Sequence, residues 1–198
     1  MYFFKENYTF PSSALKTLNE YSFYRQYHRT SIRAAKYPQG IYSSYENFNN
    51  SPREISLFQE LNSFYEPIIK KIMIRFNLES RCRYKWNFWF QIYNNITGGH
   101  PPHAHFDGKE VCSFIHFAEV NEDDPCSLWH QAEDKIEFLK EKTGDMIFFP
   151  PWVIHSTKDP FLAKNRIVVA GNIDFLSYSD PYMKLEMVGS NPTTWAAS

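Results

Sequence analysis

The chain has 198 residues, with 21 basic against 22 acidic side chains and a formal net charge of -1, a balance that argues against a surface built mainly to hold nucleic acid or anionic lipid. Aromatic residues make up 18% of it, as 18 Phe, 13 Tyr and 5 Trp, so core and pocket alike should be rich in rings. Its three cysteines, Cys82, Cys112 and Cys126, form no CxxC pair and are odd in number. They point to neither a disulfide framework nor a cysteine-based zinc site, and a reducing, cytoplasmic compartment is expected.

The length suits one domain over 1–198 with a single sizeable core. Residues 1–80 read as an N-terminal segment with a supporting helix, 81–178 as a β-rich core and 179–198 as a tail. The opening MYFFKENYTF meets Lys5 and Glu6 before an apolar leader could form, and no run of about 18 apolar residues follows, so neither a secretion signal nor a membrane anchor is expected.

In residues 1–50, Ser, Asn, Pro and Tyr interrupt every apolar pattern, which predicts irregular structure with a short helix or strand. Arg25, His28, Arg29, Arg33 and Lys36 lie here among Tyr24, Tyr27 and Tyr37 without an acid between them, a weak form of the basic-plus-aromatic pattern of nucleic-acid binders. The plainer reading is a solvated segment that packs its tyrosines on the domain.

A strong helix signal follows. Ser51 is a good N-cap, Pro52 suits the first helical position and Glu54 stands where a capping box needs it. Phe58, Leu61, Phe64, Tyr65, Ile68, Ile69, Ile72, Met73 and Phe76 then recur at spacings of three and four, a stripe that should lie against a sheet, with Pro67 a site for a kink. After Ser80 the period becomes two. Apolar residues at 84, 86, 88, 90 and 92 alternate with Lys85, Asn87 and Gln91, the pattern of a half-buried strand, broken on its polar face by Trp89. Further strands are expected at Val111–Ala118, Ser127–His130, Lys135–Leu139, Met146–Phe149 and Arg166–Phe175. Helical support followed by many short strands implies a mainly β sandwich or barrel.

The stretch HPPHAHFDG places His100, His103, His105 and Asp107 within eight positions. Residues two apart on a strand share a face, so His105 can pair with Asp107 as HxD or with His103 as HxH around one ion. A third ligand should come from a distant strand. His155 is the best candidate, because Gly144-Asp145 turns into the apolar run Met146–Phe149 and Pro150-Pro151 stiffens the approach to it. Eleven residues later Arg166 opens the otherwise apolar run to Phe175, where a buried guanidinium wants an anion. Asn172 shares its parity. His100, His116, His130, His28 and Trp152 have simpler readings: His100 and Trp152 as loop or turn side chains, with a pocket-floor role equally open to Trp152; His130 and His28 as surface or hydrogen-bonded histidines; and His116 facing either solvent or the cavity.

His105-Phe106-Asp107, GDMIFFPPWVIH ending at His155, and Arg166 eleven residues on together resemble the HxD...H...R/K signature of the Fe(II)- and 2-oxoglutarate-dependent dioxygenases, in particular the small prolyl-4-hydroxylase-like proteins of bacteria and phages. The resemblance spans about residues 84–175. It implies a double-stranded β-helix, or jelly roll, of the cupin-like kind. His105, Asp107 and His155 would bind Fe(II), and Arg166 and Tyr93 would hold 2-oxoglutarate. Two imidazoles and a carboxylate on one face of an octahedral ion leave room for a chelating keto acid and O2. HxD is the preferred register; HxH, with His103 as ligand rather than as a second-layer or substrate-facing side chain, stays open.

The implied activity is hydroxylation of an unactivated C–H bond in a small-molecule or peptide substrate, a prolyl or other amino-acid side chain, with release of succinate and CO2. Nucleic acid is not an expected partner, although oxidative demethylation of nucleic acid occurs in the same superfamily. A non-enzymatic jelly-roll module that binds a metal or ligand is the reading from a different class.

Overall fold

A computed structural model describes residues 4–27, 41–45, 50–79, 82–94, 99–105, 108–130, 136–158, 165–178 and 188–189. In chain order these form β1 (Phe4–Asn7), α1 (Ser12–Asn19), α2 (Tyr21–Tyr24), a 3-10 turn at Arg25–Tyr27, β2 (Tyr42–Ser43), α3 (Pro52–Arg75), β3 (Cys82–Tyr93), β4 (His100–His103), β5 (Glu110–Glu119), β6 (Ser127–His130), β7 (Ile136–Phe138), β8 (Asp145–Phe149), β9 (His155–Thr157), β10 (Arg166–Tyr178) and β11 (Val188–Gly189).

Among the described residues the strands make two sheets. The larger runs β1-β8-β5-β10-β3-β11, with β2 also on β3, and the smaller runs β4-β9-β6-β7. All pairings are antiparallel except β11 with β3. The architecture is the expected jelly roll.

Helix α3 forms where its capping signal placed it. Ser51 Oγ accepts from Glu54 N–H at 3.3 Å, and Pro52 opens the first turn. The Glu54 side chain is buried and accepts from Tyr27 Oη at 2.6 Å, so the capping residue also ties the N-terminal segment to the helix. The helix continues through Pro67. Leu57, Phe58, Leu61, Tyr65, Ile69, Ile72 and Met73 are buried on the larger sheet, where Phe58 stacks on Phe88 at 5.3 Å and Tyr65 meets Phe114 at 5.7 Å.

The N-terminal segment is more regular than its interrupted pattern predicts. β1 adds an edge strand to β8, pairing Phe4 with Phe148, because Phe4 can stack on that ring at 4.9 Å. Arg25 and Tyr27 lie in the 3-10 turn; His28, Arg29, Arg33, Lys36 and Tyr37 fall outside the described residues, as do Asp107 and most of the tail from 179.

Strand β3 departs from the half-buried reading. Its even residues from Tyr84 to Ile92 pack in the core beneath α3, but the opposite row is solvated only at Lys85: Asn87 and Trp89 are buried and Gln91 is half-buried. The strand lies inside the sheet with its second face under the smaller sheet, so the alternation separates a helix-facing row from a cavity-facing row. The partner strand obeys the same parity, with Tyr93 opposite Arg166, Gln91 opposite Val168, Trp89 opposite Ala170 and Asn87 opposite Asn172. On the helix side of β10, Gly171 lets the strands close, since a Cβ there would lie 2.3 Å from Asn87 O and 2.4 Å from the Phe114 ring.

Candidate metal centre

β4 and β9 pair antiparallel, with His103 opposite His155. The next residues carry the chain past the strand end to His105, whose N–H donates to Pro151 O at 2.9 Å. The proline-rich turn before His155 therefore positions both halves of the site. One ligand atom from each of His103, His105 and His155 lies within 4.8 Å of the others. The rings are 4.3 Å apart for His103 and His155, 4.9 Å for His105 and His155 and 5.3 Å for His103 and His105.

Each imidazole is oriented through Nδ1 by an oxygen that can only accept. His103 Nδ1 donates to Pro101 O at 2.9 Å, His155 Nδ1 to Val153 O at 3.1 Å and His105 Nδ1 to Asn172 Oδ1 at 2.9 Å. Asn172 is held in turn by Ser113 Oγ–H at 2.9 Å. With the proton on Nδ1, each neutral ring presents an unprotonated Nε2. His103 Nε2 and His105 Nε2 stand 3.3 Å apart. Two lone pairs at that distance repel unless a cation lies between them, and histidine ligands are commonly oriented through the other ring nitrogen in this way.

The environment keeps the rings neutral. Burial, then the neighbouring His103, pushes His105 down to about 4 despite its bond to Asn172. Burial, then His103 and His105, holds His155 well below the usual histidine range, and burial lowers His103 as well. Trp89 packs on His105 at 5.4 Å, while Phe149 and Trp129 pack on His155 at 5.1 and 5.8 Å. Three neutral nitrogen donors in an aromatic wall suit a divalent transition metal.

Arg166 lines the same pocket as the three histidines, with Tyr93, Gln91 and Ser127. Its Nη2 donates to Ser127 Oγ at 2.6 Å and to Glu141 Oε1 at 3.3 Å. The guanidinium lies over the rings of Tyr93 at 5.1 Å and Phe117 at 5.7 Å. Its Nε and Nη1 are buried without a hydrogen-bond partner, an arrangement that favours an incoming anion. Tyr93 is buried, and its hydroxyl donates to Gln91 Oε1 at 2.9 Å.

Of the residues singled out in the sequence, His103, His105, His155, Arg166 and Tyr93 come together in this pocket, and Asp107 lies outside the described residues. His100 is on β4 rather than in a loop; it lines the pocket and its ring is 4.1 Å from that of His103. His116 faces neither solvent nor cavity. It is buried beneath α3, taking a hydrogen bond from Tyr65 Oη at 3.0 Å through Nδ1 and giving one to Tyr8 O at 2.9 Å through Nε2. His130 bonds Ser156 Oγ at 2.7 Å, Trp152 is exposed, and His28 lies outside the described residues.

Glu141, Ser127 and Trp129 were not foreseen as members of the site. Glu141 sits between Lys140 and Lys142 in a run that reads as solvated charge. Ser127 and Trp129 are the buried pair of β6, but the adjacent apolar residues Leu128 and Trp129 give no alternation in sequence that reveals it.

No family model matches the chain, and no curated protein does. Solved structures do. The Pseudomonas putida prolyl-4-hydroxylase superposes with a TM-score of 0.59 at 11% identity, covering 86% of this chain and 91% of that one. The chain has the fold of a prolyl hydroxylase. A prolyl hydroxylase from Trichoplax adhaerens, solved with a hypoxia inducible factor oxygen degradation domain peptide fragment, matches at 0.60 and 13% identity over 86% of this chain and 82% of that one. A prolyl 4-hydroxylase from Phytophthora capsici matches at 0.50 and 12% identity over 70% and 48%. At these identities the likeness establishes the jelly-roll fold. Among the described residues no helix is long and apolar enough to cross a membrane.

Proposed function

We propose that this protein is an Fe(II)- and 2-oxoglutarate-dependent oxygenase that hydroxylates an unactivated C–H bond of a prolyl or other amino-acid side chain, in a peptide or a small molecule. The observation that carries the reading is the meeting, in one pocket, of three neutral imidazoles, each with a ligand atom within 4.8 Å of the others, and a buried guanidinium with two unpartnered nitrogens. His103, His105 and His155 are the metal ligands on this reading; the competing set replaces His103 by Asp107.

Bound Fe(II), with 2-oxoglutarate and O2, would supply the oxidising power for hydroxylation, with succinate and CO2 as co-products. The chain's own contributions are positional. Asn172, Pro101 O and Val153 O fix the tautomers that leave Nε2 free, and Trp89, Trp129 and Phe149 exclude water around them. Arg166, held over the Tyr93 ring, would pair with the distal carboxylate of the keto acid and so orient its other end toward the histidines. The peptide bound to the Trichoplax adhaerens enzyme supports a peptidyl substrate class.

Anaerobic titration with Fe(II) and 2-oxoglutarate tests the reading. A weak visible charge-transfer band, followed by succinate formation on admitting O2, is expected; a protein that binds the metal with neither band nor succinate is a binding module instead.

A further inference from the structure

We infer that Glu141 is a positioning residue that sets the affinity for the distal carboxylate of the keto acid by acting on Arg166; the inference rests on the oxygenase reading above. Glu141 and Arg166 form an ion pair whose side chains are 1% and 3% exposed, so neither charge is screened by water or salt. One carboxylate oxygen does all the work. Glu141 Oε1 accepts from Cys126 N–H at 3.0 Å, Ser127 N–H at 3.2 Å, Ser127 Oγ–H at 3.3 Å and Arg166 Nη2 at 3.3 Å, while Oε2 is buried without a partner.

This arrangement has two consequences of opposite sign. In the empty pocket Glu141 compensates the buried guanidinium, and with Ser127 it takes up Nη2, which leaves Nε and Nη1 as the free donors. A ligand carboxylate at those donors is then the second anion around one cation. It is repelled by Glu141 across the guanidinium in a medium of low effective dielectric. Glu141 therefore holds Arg166 ready and at the same time weakens the hold on the keto acid, which favours release of the dicarboxylic co-product.

Glu141→Gln isolates the charge from the shape. The amide oxygen can accept all four bonds now made to Oε1, and the amide nitrogen takes the place of an oxygen that bonds nothing. The probes are 2-oxoglutarate and 2-oxobutanoate, the latter carrying the keto acid without the distal carboxylate. They are titrated anaerobically by calorimetry into Fe(II)-loaded wild type and variant. Thermal melting of the metal-free proteins accompanies the titrations.

Glu141→Gln should bind 2-oxoglutarate about 10-fold more tightly than wild type, bind 2-oxobutanoate equally well, and melt at a lower temperature in the metal-free form. A purely structural role for Glu141 would shift both acids together. An unchanged ratio of the two affinities, or a selective loss of 2-oxoglutarate, overturns the inference while leaving the oxygenase reading intact. Wild type that binds no 2-oxoglutarate overturns both. If Glu141→Gln does not fold, Glu141→Asp, which withdraws the carboxylate by one methylene, must move the ratio in the same direction by a smaller factor, and no movement is again a refutation.

Discussion

Replacing Asn172 with alanine removes the acceptor used by both His105 Nδ1–H and Ser113 Oγ–H, without replacing a proposed ligand. His105 is then free to move its proton from Nδ1 to Nε2. That tautomer is attractive in the metal-free site, because Nε2–H can donate to His103 Nε2, 3.3 Å away. A metal must reverse this change and leave a buried Nδ1–H without a partner. The penalty for such a donor is about 1–3 kcal/mol, so metal affinity should fall roughly 10- to 100-fold, the range typical when the hydrogen-bond partner of a ligating histidine is lost. Asn172→Asp keeps an acceptor for Nδ1–H and should restore most of the affinity. Anaerobic Fe(II) titration by calorimetry, with melting curves to confirm that both variants fold, gives the comparison. Affinity of Asn172→Ala within about twofold of wild type, against the order-of-magnitude loss expected, would refute the orienting role and with it the tautomer argument for the site.

Arg166→Met should weaken 2-oxoglutarate binding roughly 10- to 150-fold through loss of a charge-assisted pair while leaving metal affinity unchanged; equal 2-oxoglutarate affinity would assign the anion to another cation. Gly171→Ala should cost about 1–3 kcal/mol or abolish folding, because the new methyl group meets backbone as well as a ring; a melting temperature equal to wild type would contradict the close approach of β3 and β10. Burial lowers His116 to about 4 in the folded chain, against about 6.5 when unfolded. Its stabilising contribution is therefore complete above pH 6.5 and is lost as pH falls toward 4, by about 3 kcal/mol in all. Urea unfolding of His116→Gln should show a correspondingly flatter decline over that range than wild type, and parallel declines would place the linkage elsewhere.

The elements with strong local signals were legible. Ser51, Pro52 and the stripe from Phe58 gave α3, alternation gave β3, and the strands expected at Val111–Ala118, Ser127–His130 and Met146–Phe149 match β5, β6 and β8 to within a residue or two. β1 was hidden because a four-residue edge strand is specified by its partner, here the Phe148 ring, rather than by its own alternation. β4 was obscured by Pro101 and Pro102, which are tolerated because it lies at the edge of its sheet. In the site, His105, His155 and Arg166 stood out by spacing, and the shared parity of Asn172 with Arg166 hinted at its role. The lone pairs of His103 and His105 face each other only through a cross-strand match to β9 and a backbone carbonyl two residues back. Glu141 is invisible in sequence because Lys140-Glu141-Lys142 looks like any solvated charge run.

The identity of the ligand set is tested most directly by anaerobic Fe(II) titration of His103→Ala and Asp107→Ala side by side with wild type. Both variants leave His105 and His155 in place, so only the disputed donor changes. With three imidazoles as ligands, His103→Ala should lose more than about 100-fold in iron affinity, exceeding the effect of removing a ligand's hydrogen-bond partner, while Asp107→Ala stays near wild type. Retention of iron by His103→Ala together with its loss from Asp107→Ala would contradict the proposed centre and make the carboxylate the third ligand.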